Sequence, residues 1–156
     1  MLPVDRAPND RAPHPRVPHL PALHIQRELR GFAVVVTVFG EVDLAAAPAL
    51  HAEISTASAL ATPPSPVVLD LQRVEFFSSD GLSLLARHHQ LCARHRTPLR
   101  VVATTEPVLR PIRLTDLDRT LALFGSVAAA LSLPPTPRDG SRRPAPAGSR
   151  SAAPRP

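Results

Sequence analysis

Among its 156 residues the chain has no tryptophan, no tyrosine and one cysteine. It also lacks lysine, so all 18 of its Lys-or-Arg positions are arginine. A lone cysteine, Cys92, excludes an internal disulfide and fits a reducing compartment. No apolar run approaches the roughly 20 residues that a bilayer-spanning helix needs, and the N-terminus shows no apolar core of a secretory signal. Glycine is scarce, at six. Neither GxGxxG nor GxxxxGK followed by Ser or Thr occurs, so no phosphate-cradling loop is present. GxSxG is missing as well, which leaves a hydrolase nucleophile elbow unsupported. These absences lead us to expect a soluble cytoplasmic protein that is not an enzyme and uses no cofactor.

Proline and arginine are abundant, and their placement divides the chain. The 20 prolines include six in residues 1–22 and seven in residues 133–156. The formal net charge is +5, which at first suggests nucleic acid, but the excess sits at the ends. Residues 1–22 carry three arginines against two aspartates, and residues 133–156 carry five against one. Residues 23–132 balance ten arginines with ten carboxylates. A nucleic-acid-binding domain ordinarily carries its own basic face, so no nucleic-acid partner is expected. The end segments cannot bury enough apolar surface to offset ordering entropy. We expect disordered tails at 1–22, with its repeated Asp-Arg-Ala-Pro, and at 133–156, around one domain at 23–132.

That middle segment alternates strand and helix patterns. His24–Arg30 has an imperfect period of two, and Ala33–Gly40 (AVVVTVFG) is a β-branched run. Gly31 between them suits a hairpin turn. Leu44, Ala47, Leu50, Ile54 and Ala57 recur at helical spacing, with Pro48 tolerated in the first turn. Val67–Leu71 reads as a short buried strand. Gly81, Leu84, Leu85, His88, Leu91 and Cys92 mark one face of a second helix. Leu99–Ala103 is another strand, Pro107 opens a third helix, and Leu121–Phe124 suits a short edge strand. Ser126 caps a last helix that Pro134 and Pro135 stop. Strands separated by helices imply one α/β domain: a mixed sheet of four to five strands, an opening hairpin and about four helices.

Two places offer chemistry. His88, Cys92 and His95 share a helical face, a spacing compatible with metal ligation. The same face is the one that meets the core, so packing is the preferred reading and no metal is expected. The second place is FFSSDG, Phe76 to Gly81, where a strand hands over to a helix. The unpaired N–H groups and positive dipole end of that helix favour a capping oxygen, from Asp80 or Ser79. One cap does not need three polar residues in a row. A phosphate on Ser79 would add about −1.5 to −2 charges at the surface without breaking the fold. A Ser-His-Asp triad built on Ser79 has no support beyond composition.

Three stretches, GEVDLAAAPAL (40–50), VVLDLQRVEFFSSDGLSLL (67–85) and LTDLDRTLALFGSVAAAL (114–131), together resemble the STAS-domain anti-sigma factor antagonists. The resemblance covers nearly all of the middle segment and neither tail. It implies a bacterial partner-switching regulator of transcription. In its unphosphorylated form such a protein binds an anti-sigma factor that is also a serine kinase, and so frees the sigma factor. Serine phosphorylation ends binding, and a serine phosphatase resets the protein. The family's usual stretch is a hydrophobic pair followed by Asp-Ser-Ser-Gly-Leu, with the first serine modified. Ser79 matches that serine and Gly81 that glycine, with Ser78 as the alternative acceptor. The family's aspartate is Ser78 here, its second serine is Asp80, and Asp116 stands where it usually has glycine. Asp43, Ser78, Ser79, Asp80 and Gly81 form the implied partner surface. A non-phosphorylated STAS scaffold or sensor subunit that binds partners constitutively is the alternative reading.

Overall fold

The computed structural model describes residues 23–132, and both expected tails lie outside them. Strand β1 (His24–Arg30) and strand β2 (Ala33–Val42) form the antiparallel hairpin. Gly31 supplies φ +63° as the first residue of a two-residue loop, a position that favours glycine. Helix α1 (Ala47–Leu60), strand β3 (Val67–Phe77), helix α2 (Ser79–Arg94), strand β4 (Leu99–Val102), helix α3 (Glu106–Leu114), strand β5 (Ala122–Phe124) and helix α4 (Val127–Ser132) follow. None of these helices is long and apolar enough to cross a membrane.

The strand order is β1-β2-β3-β4-β5, and every pair after the hairpin is parallel. Crossovers between parallel strands are right-handed. Moving always in one direction across the sheet, they place α1, α2 and α3 on the same face. There Leu50, Ile54, Leu85, Val108 and Ile112 pack on Val34, Val36, Leu69, Leu71 and Val101. On the opposite face Val35, Val68 and Val102 are covered by Ala130 of α4. This double burial explains the unbroken valine run of β2, which has no polar side to give alternation. Ser126 caps α4, accepting from the Ala129 N–H at 3.1 Å. Arg100 reaches across from β4 to donate to the Ala130 carbonyl.

One expectation changes at this level. The third strand runs to Phe77, well past Leu71. Gln72 and Arg73 break the apolar pattern without ending the strand, because Phe39 pairs with Arg73 and Val42 with Phe77 further along. Edge strand β1 exposes nearly every side chain, with Ile25 half-buried. Its Arg27 pairs with Glu53 of α1, and such charges guard an open edge against further pairing. Asp116 adopts φ 55° and ψ 17° before a single 3-10 turn. This left-handed region favours glycine, and aspartate is among the few side chains that tolerate it.

Candidate functional site

The ends of β2 and β3 lie level, because Val42 is in register with Phe77. The Ser78 N–H donates to the Val42 carbonyl at 2.9 Å and ties the two exits together. Gly40, at φ +91°, sits where the β2–β3 register shifts and lets the last part of β2 re-aim. The loop into α1 and the first turn of α2 therefore emerge side by side.

Asp43 builds the first of these loops. Its Oδ1 accepts from the Ala46 N–H at 2.8 Å, and its carbonyl accepts from the Ala47 N–H at 3.1 Å. Leu44, expected on the apolar face of the helix, precedes α1 and is 72% exposed. The Asp43 turn throws it outward, and the buried stripe starts at Leu50. Across the gap Phe76 is 48% exposed while Val74 and Phe77 point inward. Neither Leu44 nor Phe76 was among the expected site residues. The nearest signal for them was the pair of adjacent aromatics at Phe76 and Phe77, one too many for a single inward face.

The cap of α2 is Ser78, where Ser79 or Asp80 was expected. A capping residue must be extended while the next is helical. Because β3 continues through Phe77, only Ser78 meets that condition, at φ −79° and ψ 171°. Its Oγ accepts from the Gly81 N–H at 3.3 Å. Ser79 is the first helical residue and is exposed; its carbonyl accepts from the Ser83 hydroxyl at 3.0 Å. Asp80 follows, half-buried, with a negative charge near the positive end of the helix. Gly81 is buried where a Cβ would meet Phe77 Cε1 and Cζ at 3.0 Å and Val42 Cγ1 at 3.1 Å. The junction thus divides its work: Ser78 caps, Gly81 admits close packing, and Ser79 presents a hydroxyl to solvent. Ser78→Ala is expected to cost about 1 kcal/mol through the lost cap, read as a lower melting temperature by circular dichroism.

The three residues weighed as metal ligands do not converge. His88 Nε2 lies 2.8 Å from His51 Nδ1 of α1. Cys92 is fully buried; desolvation pushes its thiol up, with a hydrogen bond from Ser58 opposing. His95 is exposed at the C-cap. Among the described residues no group of three His, Cys, Asp or Glu side chains is arranged to hold a metal.

The family described as "Mlab, STAS domain" matches residues 25–125. The anti-sigma-F factor antagonist RsfB of Mycobacterium tuberculosis is 37% identical over 98 residues, 63% of this chain and 78% of RsfB. The crystal structure of an anti-sigma factor antagonist from Mycobacterium paratuberculosis superposes with a TM-score of 0.64 at 37% identity, over 70% of this chain and 92% of that one. Unphosphorylated SpoIIAA superposes with a TM-score of 0.57 at 21% identity, over 69% and 93% of the two chains, and shows the shared fold. Five strands with α1 to α3 on one face, the match across residues 25–125 and the likeness to two mycobacterial antagonists agree: this chain belongs to the STAS-domain family, alongside the anti-sigma factor antagonists.

Proposed function

We propose that this protein is an anti-sigma factor antagonist that binds an anti-sigma factor serine kinase through the face around Ser79, so releasing a sigma factor. Phosphorylation of Ser79 by that kinase ends the complex, and a serine phosphatase restores it. The observation that carries this reading is the exposed Ser79 at the first position of α2, beside the exposed apolar side chains Leu44 and Phe76. Apolar anchors next to a modifiable hydroxyl suit a protein interface that one charge can disrupt. The names of the mycobacterial relatives support the same assignment. Ser78 is the weaker acceptor, because its hydroxyl is already engaged in the cap. The docking face comprises Asp43, Ser78, Ser79, Asp80 and Gly81, extended by Leu44 and Phe76.

The alternative, a scaffold that binds constitutively, draws on Asp80: its carboxylate adjoins Ser79 and would repel a phosphate there. Incubation of the full chain with its kinase and ATP, followed by intact-mass measurement, decides between them. A single added phosphate that is lost in Ser79→Ala is the expected result. No addition, with binding retained, would establish the scaffold.

A further inference from the structure

The layer between α1 and α2 holds a polar seam. His51 Nδ1 and His88 Nε2 are 2.8 Å apart, with ring centroids 4.8 Å apart at 47°. Further along, Ser58 Oγ lies 3.1 Å from Thr97 Oγ1, and Ser58 also bonds the Cys92 thiol. His88 is 1% exposed and His51 is half-buried. A lone histidine on an apolar face is commonly a satisfied core residue, but here two titratable rings on different helices satisfy each other.

The surroundings offer such a pair little compensation for charge. Arg87, adjacent on α2, adds a positive one. Glu53, the carboxylate of α1, is paired with Arg27. Asp80, the carboxylate of α2, lies about 12 Å back along the helix at 1.5 Å per residue. From β3, β4 and α3, the apolar core on this side includes Leu69, Leu71, Val101, Val108 and Ile112. On α3, Glu106 pairs with Arg113 at the surface, and Arg110 is exposed.

A bond between two imidazoles needs one N–H and one lone pair. The neutral pair meets this, and so does a pair sharing one added proton. With two added protons, an N–H faces an N–H and two like charges meet in a buried place. We propose that the His51–His88 contact is a pH-sensitive latch that holds α1 against α2, closed while the pair is neutral or singly protonated and released when both rings are protonated. The latch joins α1 to α2, the helix that begins at Ser79.

The direction of the pH effect follows from His88, whose pKa is lowered from 6.5 to about 4 by burial first, then by His51 and Arg87. A depressed imidazole binds fewer protons folded than unfolded. Its stabilising effect is therefore complete above about pH 6.5 and is lost as pH falls toward 4, by roughly tenfold in the unfolding constant per pH unit.

The test uses the full chain in urea unfolding followed by far-UV circular dichroism at pH 7.5, 6.5, 5.5 and 4.5, together with the histidine Cε1–Hε1 resonances by NMR. The expected result is a His88 resonance that titrates below pH 5. The unfolding constant should rise by about 40-fold more between pH 6.5 and 4.5 in the wild type than in His88→Gln. If His88→Gln does not fold, His51→Gln, at the half-exposed partner, replaces it and is expected to move the His88 titration upward. Backbone amide protection in α1 and α2 should fall before that of β3. A His88 resonance titrating near 6.5, equal pH slopes in wild type and variants, or equal loss of protection in α1, α2 and β3 would overturn the latch.

Discussion

Replacing Ser79 with glutamate is expected to weaken binding to the kinase partner by at least about 100-fold while leaving the fold intact. The two effects separate because of where the residue sits. Ser79 is exposed at the first helical position, so its side chain supports no packing. A carboxylate near a helix N-terminus is favourable by about 0.3–1 kcal/mol, and unfolding free energy should stay level or rise slightly. On the proposed docking face, which includes the exposed Leu44 and Phe76, the same carboxylate would lose its water to the partner's surface. An uncompensated charge there costs about 3 kcal/mol or more, and every 1.4 kcal/mol is tenfold in affinity. Isothermal calorimetry with the purified kinase reads the affinity, and Ser79→Ala should bind as the wild type does. Equal affinities for the serine and glutamate forms would remove Ser79 from the interface.

Gly81→Val is expected to act on both properties, with a loss of about 2 kcal/mol in stability and weakened docking. Even a single Cβ at Gly81 would lie 3.0 Å from two atoms of the Phe77 ring and 3.1 Å from Val42 Cγ1. Carbon atoms prefer about 3.5–4.0 Å. Gly81→Ala gains up to about 1 kcal/mol of helix propensity against this crowding, and should come out near neutral. Valine adds two methyl groups to a place already closed by a buried ring. Either α2 or Phe77 must yield, and both carry the proposed docking face, since Phe76 precedes Phe77 and Ser79 starts α2. Thermal melts should show a drop of roughly 8–12 °C for a domain of this size. A melting temperature equal to wild type would mean that the close approach of α2 to Phe77 is not required.

The contrast between the two substitutions identifies what each residue contributes. Ser79→Glu separates docking from folding, whereas Gly81→Val perturbs both together. Asp80 lies between them and adds negative charge beside Ser79 whatever the phosphorylation state. On the proposed function, a partner would meet one carboxylate there before modification and a phosphate beside it after.

Composition and periodicity alone determined much of this protein. The valine run of β2, the glycine of the hairpin, the buried stripe Gly81, Leu84, Leu85, His88 and Cys92 of α2, and the Ser126 cap of α4 are all local patterns. Each reflects backbone preference or one face of one element, which neighbouring residues encode. The change from an apolar run to Ser-Ser-Asp-Gly likewise marked the junction that became the candidate site. Tertiary structure decided the rest. Which serine caps α2 depended on how far β3 stays paired with β2, and Leu44 turned outward because Asp43 folds the chain back before α1. The union of His51 with His88, 37 positions apart, depends on two crossovers of the same hand that lay α1 beside α2. No window of sequence contains both rings, and only the packed molecule brings one nitrogen to the other.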